Sequence, residues 1–216
     1  MNHCSHNQGC MEKVKRKERE YNIRRTAILT EAEKNFSARG YHYVTMAEIA
    51  SASGFSTGAL YQFFKSKEHL YTTMISEKLA MMYEIIKQEV NSVSDLNGKI
   101  AALVGTQLKF AEENAYFCRI FLRGENELSA KTMNSMQERL TSDYFKHLSF
   151  IENILKAGVK DGVLRDIPPH DLAAALSFLI RAAIMNWLIT PSQDRLVSKK
   201  EMILNIFFNG VKKHDD

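Results

Sequence analysis

The chain contains no proline before Pro168, and its others are Pro169 and Pro191. A proline inside a helix removes a backbone hydrogen bond and clashes with the turn before it, so most of this chain is open to long helices. Apolar residues recur there at spacings of three and four, not two. Ile28, Leu29, Ala32 and Phe36 share one helical face, and Gly40 follows where a left-handed residue ends a helix. Thr45-Met46-Ala47-Glu48 has the form of a capping box, opening a second helix with Met46, Ile49 and Ala50 inward and a stop near Ser53-Gly54. Ser56 suits the N-cap of a third helix over residues 57–64, with Leu60 and Phe64 as its buried stripe. Ser66 caps a fourth, running from Lys67 past Glu89 with Leu70, Met74, Leu79, Met82 and Ile86 among its apolar positions.

Further helical periods cover residues 97–114, 116–122, 129–160, 168–189 and 199–211, with Gly162 closing the third of these and Ser198 capping the last. No strand-like alternation, internal repeat or low-complexity tract is present in the sequence. The expected fold class is all-α, of about nine helices, with a tail at 1–20, a head at 21–70 and a larger body at 71–216.

Charge divides along the same boundary. Residues 1–70 hold 11 Lys and Arg against 7 Asp and Glu, whereas residues 71–216 hold 18 of each. A basic head on a neutral body points to a polyanion partner for the head and a different task for the body. The cysteines, Cys4, Cys10 and Cys118, are odd in number, which argues against a disulfide framework and for a reducing cytoplasm. The N-terminus is too polar for a secretory signal. The most apolar stretch, residues 172–189, carries Ser177, Arg181 and Asn186, and reads as a buried interface helix and not as a membrane span.

Catalytic and metal signatures are weak. There is no phosphate loop, no His-Glu-x-x-His and no nucleophile elbow, and nothing places Glu112-Glu113 or Glu125 and Glu127 across a cleft. An enzyme is not expected, nor a cofactor. His3, Cys4, His6 and Cys10 match no zinc spacing, and Asp143 with His147 reads as a solvated pair sooner than as a metal site. Cys118 reads as a small buried hydrophobe.

The second and third helices are separated by a very short turn containing Gly54, which is helix-turn-helix spacing. In such a unit the second helix enters the major groove and its first residues meet base edges. Gly58 and Ala59 let backbone approach a duplex, and Thr57 and Gln62 are able to read base edges. Thr45, Ser56 and Tyr61 can donate to phosphates, while Lys65 and Lys67 add positive charge.

From Arg24 to about Leu79 the sequence resembles the TetR family of regulators. The resemblance is carried by Gly40-Tyr41, Thr45-Met46-Ala47-Glu48-Ile49-Ala50, Gly54-Phe55-Ser56-Thr57-Gly58-Ala59-Leu60-Tyr61 and Phe64-Lys65-Ser66-Lys67-Glu68-His69-Leu70. It implies an all-α homodimer whose fourth helix joins a DNA-binding head to a ligand-binding body. The last two helices, at 171–189 and 199–211, would then pair with their mates. A family-like phrase also precedes the first of these, Gly158-Val159-Lys160-Asp161-Gly162-Val163-Leu164-Arg165-Asp166. Two positions depart from the pattern: Phe63 stands where many relatives carry His or Tyr, and Thr57 where Lys is common.

The body is rich in methionine and aromatic residues, which adapt to varied apolar ligands. Met82, Phe110, Phe117, Phe121, Met136 and Tyr144 are the expected lining of an effector pocket, with Met81, Tyr83, Tyr116, Met133 and Phe145 of the same type nearby. Arg181, amid Leu, Ile and Ala, reads either as a polar spot in the dimer interface or as the partner of a ligand carboxylate. The expected function is a DNA-binding regulator of the repressor type, holding a palindromic operator as a homodimer and released by a small, mostly apolar ligand. The alternative is a body that docks a protein partner.

Overall fold

The computed structural model describes residues 5–123, 130–190 and 194–211. Among them the chain forms α1 (Ser5–Arg39), α2 (Met46–Ala52), α3 (Thr57–Phe63), α4 (Lys67–Asn91), α5 (Leu96–Glu113), α6 (Ala115–Arg123), α7 (Ala130–Lys160), α8 (Pro169–Ile189) and α9 (Lys200–Val211). A 3-10 turn at Leu196–Lys199 leads into α9, and no strand occurs among the described residues. The all-α fold expected from the periodicity is the one observed. Two compact units divide after Met74.

The first unit is built on a small core. Ile28, Ala32 and Phe36 of α1, Ile49 and Ala50 of α2, and Leu60 of α3 are essentially removed from water. Phe36, Tyr41 and Tyr71 meet edge-on or tilted, with ring centroids 5.0 to 5.8 Å apart. Gly40 and Gly54 both hold positive φ, 83° and 78°, and end α1 and the α2 turn where a side chain would be strained. α1 is longer than its apolar period predicts, because residues 11–20 bury nothing. They are mostly Lys, Arg and Glu, which lose little rotamer freedom in a helix, and Arg16 Nε bonds Glu20 one turn on at 2.9 Å.

The second unit has α5 at its centre, packed against α7, α8, α9 and the 3-10 turn. Ile100, Leu103, Val104 and Leu108 of α5 are buried together with Ile151 and Leu155 of α7 and Leu172, Leu176 and Ile180 of α8. Glu112 ties α5 to the 3-10 turn by accepting from Arg195 Nε at 2.9 Å and the Val197 amide at 3.0 Å. Arg165, from the phrase before α8, donates its amide to Val211 O and a guanidinium N–H to Gly210 O, so it closes the C-terminal end of α9. Ser198 does not cap α9 as expected. Its hydroxyl donates to Arg195 O at 2.6 Å, inside the 3-10 turn.

α8 is long and apolar enough to cross a membrane by length and composition alone, yet its own chain buries little of it. Phe178, Met185 and Ile189 remain 62%, 42% and 76% exposed. Within the single chain one face of α8 is covered and the other is bare, so the chain by itself does not bury the helix that the sequence reads as an interface helix.

Candidate nucleic-acid interface and effector cavity

α2, the turn at Ser53-Gly54 and α3 form the helix-turn-helix, and two N-caps, Thr45 and Ser56, fix where α2 and α3 begin. Ser56 Oγ accepts from the Ala59 amide at 3.2 Å, so its own hydroxyl proton stays available to an outside acceptor. Gly58, Tyr61, Gln62 and Lys65 are exposed, while Thr57 and Ala59 are half-buried. Gly58 has ordinary helical φ, and a Cβ built there meets nothing within 4 Å. Neither backbone conformation nor internal packing requires a glycine at that position, although glycine weakens a helix by about 0.5–1 kcal/mol relative to alanine.

Two expected phosphate contacts are placed differently. The Thr45 hydroxyl gives its proton to Glu48 Oε2 at 2.8 Å and accepts from the Glu48 amide at 3.2 Å, so it is committed to the capping box. Arg39 grips the same carboxylate at 2.8 Å, and these contacts, Arg39 first and then Thr45, hold Glu48 down to a pKa of about 2. The Lys67 ammonium turns inward. It donates to Tyr41 O at 2.8 Å and Val44 O at 3.0 Å, and sits 4.3 Å from the centre of the Tyr41 ring. Lys67 staples the α1–α2 connection to the start of α4 and is not a free surface charge. Phe63, the departure at the end of α3, stacks on Tyr21 of α1 at 4.8 Å.

The second unit holds a half-open cavity of about 170 Å³. Met82, Phe110, Phe117, Phe121 and Tyr144, all expected from sequence, line it together with Leu79, Ala111, Ile180 and Ile184. The side chain of Met136 lies outside the described residues. Of the other Met and aromatic candidates, Met81, Tyr116 and Phe145 are surface residues, and Met133 again falls outside the described side chains.

Sequence reasoning missed the cavity's polar wall. Gln107 Nε2 and His147 Nε2 lie 2.9 Å apart, and the His147 ring stacks on Tyr83 at 4.5 Å. His147 therefore belongs to the cavity wall and not to a solvated pair, while Asp143 bonds Lys146 at 3.0 Å. Burial lowers the His147 pKa to about 4. Burial, with the neighbouring Asp143 and Tyr144, raises that of Tyr83 to about 12. Both are neutral near pH 7, so Arg181 supplies the formal charge among the described lining residues. Cys118 is buried at the same wall.

No group of three or more potential metal ligands occurs among the described residues. His3 and Cys4 lie outside them, as do the side chains of His6 and Cys10 and the residues Glu125 and Glu127.

The first unit thus holds a helix-turn-helix with the first residues of α3 at its surface, and the second unit holds a mainly apolar cavity among its helices. Residues 28–74 match the family model described as bacterial regulatory proteins, tetR family. The HTH-type transcriptional repressor KstR2 of Rhodococcus jostii is 31% identical over 157 residues, 72% of this chain and 74% of that protein. The chain belongs to the TetR family of transcriptional regulators. The fatty acid metabolism regulator protein of Bacillus subtilis is 19% identical over 192 residues, covering 85% of this chain and 93% of its own length. The crystal structure of FadR from Bacillus subtilis in complex with stearoyl-CoA shares the fold, with TM-score 0.74 and 17% identity over 86% of this chain and 98% of that one.

Proposed function

We propose that the protein is a homodimeric repressor that reads a palindromic operator with α3 and releases it when a small, mostly apolar acid or acyl compound enters the body. Gly58 carries the first half of this reading. A glycine kept at a cost to its helix, with open space where its side chain would be, fits a position pressed against an outside surface. The surface in question is DNA backbone and base edges, with Thr57 and Gln62 reading bases, Ala59 leaving room, and Ser56, Tyr61 and Lys65 on phosphates.

The cavity supports the second half. A cavity near this size has room for one aromatic ring or a short acyl segment. The Bacillus subtilis regulator solved with stearoyl-CoA carries an acyl compound, and a cavity walled by Met82, Phe110 and Phe117 with Arg181 at its edge suits the same chemical class. α4 begins in the first unit at Lys67 and contributes Leu79, Met82 and Tyr83 to the cavity. Ligand that binds one position of α4 more tightly than another shifts the fit of the heads to DNA by that difference in affinity.

Gly58→Ala separates folding from recognition. Its thermal stability should rise, by roughly 0.5–1 kcal/mol. Its affinity for a duplex selected from random DNA on the wild-type protein should fall. Unchanged binding would place α3 away from the duplex. For the cavity, Arg181→Met should weaken binding of the anionic dye anilinonaphthalene sulfonate about tenfold, and leave neutral phenylnaphthylamine unaffected. Equal effects on both dyes would remove Arg181 from anion recognition.

A further inference from the structure

Residues 11–20 of α1 contribute nothing to the core of the head. Residues 11–20 are all exposed, and no apolar residue among them is buried. A helix segment of this kind gains little from propensity alone in water. Part of its charge, however, is ordered, while Lys15 and Arg19 fall on the opposite side of the helix. Lys13, Lys17, Tyr21 and Arg24 follow at intervals of four, four and three, which places them along one side of the helix. All of them are exposed. Glu20, beside the stripe, is engaged by Arg16 at 2.9 Å. Glu12 and Glu18 fall roughly a quarter turn or more away around the helix.

The stripe is continuous with the DNA-reading element. The Tyr21 ring stacks at 4.8 Å and 27° on Phe63, the last residue of α3, and Phe63 in turn lies 6.5 Å from Phe55 of the turn. Through that stack, the side of α1 that carries the cations is tied to the end of α3.

We infer that α1 is a second DNA-contacting element, in which Lys13, Lys17 and Arg24 lie along phosphates flanking the bases that α3 reads, and Tyr21 is a positioning residue seated on Phe63. This rests on α3 being the groove-reading helix. From Lys13 to Arg24 the helix rises about 16 Å, the length of about five base pairs. The element adds affinity and salt dependence without adding base preference.

The test uses full-length protein and a duplex selected from random DNA on the wild type, made in two lengths: one ending at the last selected base on each side, the other extended by about one helical turn on each side. On the long duplex, Lys13→Ala/Lys17→Ala/Arg24→Ala should bind about tenfold or more weakly at physiological salt. Its slope of log affinity against log salt should flatten by about 0.9 for each phosphate no longer neutralised. The order of preference among base substitutions should not change. The wild type should lose affinity on the short duplex, and the triple variant should not. Tyr21→Ala should reproduce part of the loss, and Tyr21→Phe, which keeps the stack, should restore it. Because the three residues are exposed, the triple variant should melt with the wild type. Wild-type behaviour of the triple variant on both duplexes, while Lys65→Ala and Gly58→Ala weaken binding, would overturn the role of α1 alone. If those α3 variants also bind normally, α3 is not the reading helix and the inference falls with it.

Discussion

Single residues in this protein are set by partners far away in sequence, and His147 shows the consequence most directly. Its ring is stacked on Tyr83 and bonded to Gln107, and burial keeps its pKa near 4 against an ordinary 6.5. The unfolded chain takes up this proton as pH falls through 6.5, while the folded chain does not until about 4. Stability is therefore full above pH 6.5, declines as pH falls across that window, and levels off below it. At about pH 5 the loss is about 2 kcal/mol for one such site. His147→Gln removes the proton site and keeps a polar side chain. Between pH 7 and 5 the wild type should lose about 5 °C more in melting temperature than this variant. Equal acid sensitivity of the two proteins in thermal melts would show that His147 titrates freely in the folded state. Lys67 makes the same point from the opposite side: a lysine at the start of a helix reads as surface charge, and only the fold brings it to carbonyls 26 and 23 residues away.

At the scale of helices, what was legible in the sequence is what local chemistry decides. Thr45 and Glu48, Ser56, and Ser66 cap α2, α3 and α4 through contacts within three residues, and Gly40 and Gly54 mark turns by their backbone alone. α4 to α8 followed their apolar periods. The start of α1 was not legible, since residues 11–20 are a mixed-charge run with no buried apolar face to set a helical period. Ser198 failed as a cap because Glu112, from α5, takes the Val197 amide and fixes a 3-10 turn there. The cavity divides in the same way. Its apolar wall is built from residues at helical spacing on α4, α5, α6 and α7, so five expected residues converge on it. Its polar wall joins Gln107 to His147 across 40 residues, and no periodicity reports such a meeting.

For the whole molecule, the bare side of α8 and α9 is an unmet demand of the fold among the described residues. Phe178, Met185 and Ile189 on α8 and Met202 and Ile206 on α9 are exposed apolar side chains at spacings that keep each set on one face. Gly210 follows Ile206 by one turn with nothing within 4 Å of a built Cβ, which lets another helix come close. Isolated apolar residues on a surface need no explanation, but two adjacent helices with apolar stripes do. The proposed homodimer covers them with the same helices of a second copy, a self-complementary arrangement that two-fold symmetry allows. Such a pairing also serves recognition, because two linked heads hold two half-sites far more tightly than either alone, by a factor of roughly 10² to 10⁴. Phe178→Glu/Ile206→Glu places buried charge in that interface if it exists and is harmless on a free surface. The wild type should sediment as a dimer and the double variant as a folded monomer with helical content preserved, its operator affinity lower by about that factor. A wild-type protein that sediments as a monomer, or a double variant that stays dimeric, would move the interface away from α8 and α9 and require another partner for their apolar face.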